Sequence, residues 1–225
     1  MKGSSFASED RPAYRTVVFD LYGTLADIRT DEEDPAVWEA FSRKMADFGA
    51  VREAAAWKEE YALTCRRQER AMEEELQRAG IPGPPEIDLL SVWREMAAGC
   101  GVRLTADAAQ SVSECFRKAS MRRLRLYDGA AEVLAALRGR GIRLVLLTNA
   151  QESFTRRELK TLGIDGAFDE LFLSSRESIF LGDYVERTFI CVQGFFHAVQ
   201  AHDLSDNLYL SLLHDYGVGL LNGFS

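Results

Sequence analysis

The sequence of 225 residues predicts an α/β fold, a parallel sheet interrupted by an inserted bundle of helices. Three observations lead there. Val17-Val18-Phe19 is a short apolar, β-branched and aromatic run that stops on Asp20, with Gly23 three residues on; such a run reads as a buried strand. Ile142-Arg143-Leu144-Val145-Leu146-Leu147 is a second run of this kind, closing on Thr148-Asn149. Between Asp20 and Leu124 lie four helical patterns.

Taken in order, Asp31-Glu32-Glu33-Asp34-Pro35 reads as a helix start, with acids at the positive end of the dipole and proline in the first turn. Val37, Trp38, Phe41, Met45 and Phe48 then recur at helical spacing up to Gly49. A longer pattern runs from about 52 to Gly80, rich in Ala, Glu and Arg, and Ile81-Pro82-Gly83-Pro84-Pro85 breaks it. Helices are expected over 86–98 and 105–122, with Trp93, Phe116 and Met121 as core residues. The sheet is expected to resume at Leu124–Ala130. A helix over 131–138, the Ile142 strand, a helix over 152–162 and a third strand over Phe168–Ser175 follow.

Composition narrows the partners. A formal net charge of −8 argues against nucleic acid or an anionic membrane, while leaving room for a small anionic substrate. The N-terminal twelve residues are polar and no segment is apolar enough to cross a bilayer, so a cytoplasmic location is expected. Cys65, Cys100, Cys115 and Cys191 show no metal-ligand spacing and read as reduced thiols. His197, His202 and His214 suit no metal motif and read as surface residues. The Leu208–Leu213 run needs burial, and self-association follows if it lacks a place in the core.

The chemistry concentrates around Asp20. A carboxylate at the carboxyl end of a parallel strand faces the crevice where open α/β sheets bind ligands. Gly23 allows a sharp turn whose N–H groups can cradle an anion, and Thr24 adds a hydroxyl. Asp20 can alternatively act only as a turn cap, and Thr148 or Asn149 as a helix N-cap.

The string Asp20-Leu21-Tyr22-Gly23-Thr24-Leu25-Ala26-Asp27 resembles motif I of the haloacid dehalogenase-like (HAD) hydrolases, and the strand ending in Thr148 resembles their motif II. The resemblance implies a Rossmann-like core (14–27 and 123–225) behind a tail (1–13), with the helical segment 28–122 as a cap inserted after motif I. It implies Asp20 as a nucleophile forming an aspartyl ester, with Thr148 and Asn149 holding the transferred group and the Tyr22-Gly23-Thr24 turn binding substrate. In the phosphatase branch it further implies Mg²⁺ on Asp20, the Tyr22 carbonyl and Asp183. The expected activity is therefore hydrolysis of a small molecule, foremost a phosphate ester. Tyr22 stands where phosphatases of the family carry a second acid, and Asp-x-Tyr-Gly-Thr is also the form of the metal-free 2-haloacid dehalogenases, the second reading. A catalytically impaired descendant is the third.

The third reading comes from the region after Ser175. The family continues with a lysine-bearing loop and a helix before an acidic motif IV strand. Here Ser174-Ser175-Arg176-Glu177-Ser178 runs directly into Ile179-Phe180-Leu181-Gly182-Asp183, and no lysine follows Lys160. In the family's sheet the third and fourth strands flank the first two. Joining them means crossing three strand spacings of ~4.8 Å and returning a strand length of ~17 Å, whereas five residues reach at most ~18 Å. The C-terminal part of the core is accordingly expected to be incomplete or rearranged. Arg43, Lys160 and Arg176 are the cations weighed as replacements for the missing lysine or as substrate anchors.

Overall fold

The computed structural model describes residues 15–80, 85–173 and 191–192. The chain starts with β1 (Thr16–Phe19) and β2 (Ala26–Thr30), then four helices, α1 (Pro35–Ala46), α2 (Ala54–Ala79), α3 (Leu89–Ala98) and α4 (Ala106–Ser120). It continues through β3 (Met121–Leu126), α5 (Ala130–Gly139), β4 (Arg143–Thr148), α6 (Glu152–Thr161), β5 (Glu170–Leu173) and β6 (Cys191–Val192).

The main sheet is parallel, in the order β5-β4-β1-β6. β1 and β4 are central, with Val17 opposite Leu144 and Phe19 opposite Leu146. Because side chains alternate along a strand, the pair presents two faces. Phe19, Leu144 and Leu146 pack with Val133 and Leu134 of α5 and Leu159 of α6. Val18, Val145 and Leu147 form a smaller cluster with Phe172. This is the expected α/β, Rossmann-like core.

The fourth position in the sheet is filled by Cys191–Val192, which pairs with Val18 and Phe19. Residues 174–190 therefore separate β5 from β6, more than the dozen a parallel crossover requires. The geometric obstacle to a short crossover is met by drawing the strand from further along the chain. Ile179–Asp183, the motif IV-like segment, lies outside the described residues, as do Arg176, the three histidines and the Leu208–Leu213 run.

One expectation is corrected. The segment beginning at Leu124 does not resume the sheet: β3 pairs antiparallel with β2 in a separate two-stranded ribbon, Asp27 opposite Arg125 and Ile28 opposite Leu124. Asp27 accepts from Arg123 Nη1 at 2.9 Å and Arg125 Nε at 3.0 Å, so the last acid of the motif I string joins the ribbon's strands. The ribbon carries the helices between its ends. Asp31 N donates to Ser120 O (2.8 Å) and Tyr127 N to Leu25 O (3.0 Å), closing it at both ends.

The helices begin where their capping residues dictate. Asp34 accepts from Ala36 N, Asp88 from Leu90 N and Ser91 N, and Thr105 from Ala108 N. Their apolar stripes meet in an aromatic core of Trp38, Phe41, Trp57, Trp93 and Phe116, with Phe41 and Trp93 ring centroids 4.9 Å apart. Val37 and Met45 are buried as the spacing predicts, while Met121 starts β3 and is only half-buried. α6 joins both cores: Phe154 belongs to the aromatic cluster and Leu159 to the sheet cluster.

Candidate functional site

Asp20 directly follows β1, and Thr148 is the last residue of β4, the neighbouring parallel strand. The two side chains consequently emerge at the same end of the sheet. Thr24, fully buried, donates its hydroxyl to Asp20 Oδ2 at 3.2 Å. Burial pushes the Asp20 carboxyl above the ordinary range, and polar contacts from the Leu21 backbone, Thr24 and Thr148 pull against that rise. Among the described residues, no lysine or arginine side chain bonds to Asp20.

The turn following Asp20 is built differently from the expected cradle. Gly23 adopts φ +80°, a left-handed conformation open to glycine at little cost. Its N–H donates to Ala26 O at 2.9 Å, while Leu25 N and Ala26 N both donate to Leu21 O at 2.9 Å. These amides close the turn upon itself. Gly23 thus shapes the loop, and its own amide is occupied within it.

Tyr22 points its hydroxyl elsewhere, to Glu158 Oε2 on α6. Burial, reinforced by the Glu158 charge, raises the Tyr22 hydroxyl well above the usual phenol range. It therefore holds its proton as a hydrogen-bond donor. Glu158 in turn takes Arg117 of α4, Nε to Oε1 at 2.6 Å and Nη2 to Oε2 at 3.3 Å. Asn149 is exposed just beyond β4 and, among the described residues, makes no bond to Asp20. Asp183 lies outside the described residues.

Arg117 and Glu158 were not singled out from the sequence. A signal exists for Glu158, since it shares a helix face with Phe154 and Thr155, a position where an acid must find a partner. Arg117 gives none, because a basic residue in a last helical turn is explained by the dipole alone.

Two clefts flank α6. One of about 510 Å³ is lined by Asp88, Glu152, Arg156 and Lys160, among others. The second, of about 740 Å³, includes Arg117, Lys118, Arg122, Arg123 and Arg157. Neither lining includes Asp20, Thr24 or Thr148, and Lys160 belongs to the smaller cleft. The arginines of the larger cleft already have acids: Arg122 pairs with Asp34, Arg123 with Asp27 and Arg157 with Glu114.

Asp20 and the Tyr22 carbonyl are hard oxygen donors of the kind Mg²⁺ takes, usually one or two carboxylates with the remaining positions left to water and phosphate. The described residues contain no group of three acidic, histidine or cysteine side chains able to hold a metal. The second carboxylate of the set would be Asp183.

A family model for haloacid dehalogenase-like hydrolases matches residues 14–182. The chain belongs to that family. No curated protein matches it. Among solved structures, this HAD-like hydrolase is similar to the L-2-haloacid dehalogenase of Xanthobacter autotrophicus (20% identity, TM-score 0.36), covering 74% of this chain and 59% of that one. It is also similar to a predicted phosphoglycolate phosphatase from Haemophilus somnus (17%, TM-score 0.31, 91% and 72% covered). A third is the magnesium-bound YfnB of Bacillus subtilis, described as a HAD-hydrolase (18%, TM-score 0.38, 74% and 66% covered). None of these likenesses distinguishes among substrates. No described helix is long and apolar enough to cross a membrane.

Proposed function

We propose that this HAD-like hydrolase acts on a small anionic molecule through an ester formed on Asp20, with a leaving group that departs without a proton from position 22. The observation that carries this is the Asp20 carboxylate itself, half-buried at the end of β1, bonded by Thr24 and beside the strand end that carries Thr148. A desolvated, oriented carboxylate is a competent nucleophile. It attacks the electrophilic centre, and water then hydrolyses the ester. Thr148, on the adjacent strand end, is placed to hold an oxygen of the transferred group as well as Asp20. The four helices between β2 and β3 serve as the cap over this end of the sheet.

The phosphatase-type reaction is the first reading. Asp20, the Tyr22 carbonyl and Asp183 would hold Mg²⁺, which when bound offsets charge between carboxylate and phosphate. An alkoxide leaving group needs an acid. The Tyr22 hydroxyl is committed to Glu158, so esters with acidic leaving groups are the better substrates. The same observation supports a second reading, displacement of halide from a 2-haloacid, because halide leaves unprotonated.

A panel of aryl phosphates, alkyl phosphates and 2-haloacids, each with and without Mg²⁺, tests both. Aryl phosphate turnover that needs Mg²⁺ supports the first reading, and metal-independent halide release the second. Activity that survives in Asp20→Asn excludes both. An intact wild-type protein that turns over none of the panel points to an impaired descendant.

A further inference from the structure

The Arg117–Glu158 pair is the most buried ion pair among the described residues, with side chains 13% and 6% exposed. By itself such a pair is weak evidence for stability, since desolvating two charges offsets most of their attraction. Its placement is more informative. Arg117 is on α4 of the helical bundle, Glu158 on α6 against the sheet, and the third member, the Tyr22 hydroxyl, belongs to the turn that carries Asp20. The Arg117 guanidinium lies 4.3 Å from the Phe154 ring centroid and 5.6 Å from that of Tyr22, so its plane is held by two rings as well as the acid.

We propose, resting on the reading of Asp20 as nucleophile, that Arg117 and Glu158 are positioning residues that hold the Asp20–Ala26 turn in place through the Tyr22 hydroxyl, so that docking of the helical bundle aligns the nucleophile. The path is short and covalent where it matters. Tyr22 follows Leu21, which is joined directly to Asp20 and whose carbonyl accepts from Leu25 and Ala26. Fixing the Tyr22 ring at its far end therefore fixes the peptide units that orient the carboxylate. The rest of the α6 contact follows the same seam: Ser113 meets Ser153 at 2.9 Å, and Gln151 bonds Leu89 N at 3.0 Å and Ile87 O at 2.9 Å. A shift of the bundle along this seam would reach the turn through Glu158.

The test uses the full chain and three variants: Tyr22→Phe, the double Arg117→Met/Glu158→Leu, and Asp20→Asn. The double leaves no unpaired buried charge, so it is built to fold, and Tyr22→Phe removes a single oxygen should the double fail. Amide exchange read by mass spectrometry is expected to accelerate at least about tenfold across Leu21–Ala26 in the first two, with the β4 amides unchanged. With an aryl phosphate and Mg²⁺, kcat is expected to fall about ten- to a hundredfold with little change in KM, which lost stability in a folded variant would not produce. Turn exchange equal to wild type in a folded variant overturns the proposal, whatever the activity. If Asp20→Asn keeps its activity, the nucleophile reading fails separately, while exchange still decides whether the turn is held.

Discussion

The Tyr22 hydroxyl donates to the Glu158 carboxylate across 136 residues of sequence, tying the turn after β1 to the middle of α6. This bond places position 22 in the support of the site. A tyrosine there cannot hand a proton to a leaving group while its hydroxyl is bound to an anion that raises its proton affinity. The preference we propose for leaving groups that depart unaided rests on this one contact.

Asp20→Asn is expected to abolish turnover and to stabilise the protein at neutral pH by on the order of 1 kcal/mol, the usual scale of a function–stability trade-off. Burial raises the Asp20 carboxyl, so the folded state binds more protons than the unfolded one between the ordinary carboxylate range and the raised value. Stability falls as pH climbs through that window. The gain from asparagine should thus shrink at acid pH, below the unfolded carboxylate range. Thermal melts of both proteins across the acid range check the sign.

Thr24→Val keeps the shape of a fully buried side chain and removes its bond to Asp20 Oδ2. The expected result is a loss of about 1 kcal/mol and a drop in kcat of roughly ten- to a hundredfold from misorientation of the carboxylate. Denaturant titration and steady-state kinetics separate the two effects. Thr24→Ser, which restores the hydroxyl, should recover most of the rate.

How far this site could be read beforehand depended on whether each contact was local. Asp20, Thr24 and Thr148 were legible because a strand end followed by glycine, and a second strand ending on threonine, are local patterns whose meeting follows from parallel pairing. The β2–β3 ribbon was not. Its strands are separated by the whole bundle, and only three of the five β2 residues are even partly buried beside exposed Arg29 and Thr30, so no alternating run marks it. Arg117 and Glu158 are paired across elements, which no periodicity records. The β6 pairing was missed for another reason: Ile179–Asp183 looks more like a strand than Cys191–Val192, and only chain length favours the later segment.

Cys65 should react slowly with iodoacetamide at neutral pH. Burial pushes its thiol up to about 11, and the thiolate is the nucleophile, so its rate should climb about tenfold per pH unit toward that value. Mass-spectrometric mapping of labelled peptides over a pH series gives the profile directly. A plateau near neutral pH would contradict the burial seen here.

Gly23→Ala is expected to cost about 1–2 kcal/mol, because φ +80° is a left-handed conformation that a Cβ makes unfavourable. The penalty is backbone strain alone, since a Cβ built there meets no atom within 4 Å. Gly23→Asn should therefore be milder than Gly23→Val, as asparagine visits this region more readily than a β-branched residue. Strain and steric clash predict different places for Asn: strain makes it milder than Ala, while a clash would rank the variants by volume and make it worse. Denaturant melts of the three variants decide between them, with Asn least and Val most destabilised. Relief of the strain by opening the turn would also loosen the Gly23–Ala26 bond, so activity should fall in step with stability across the series.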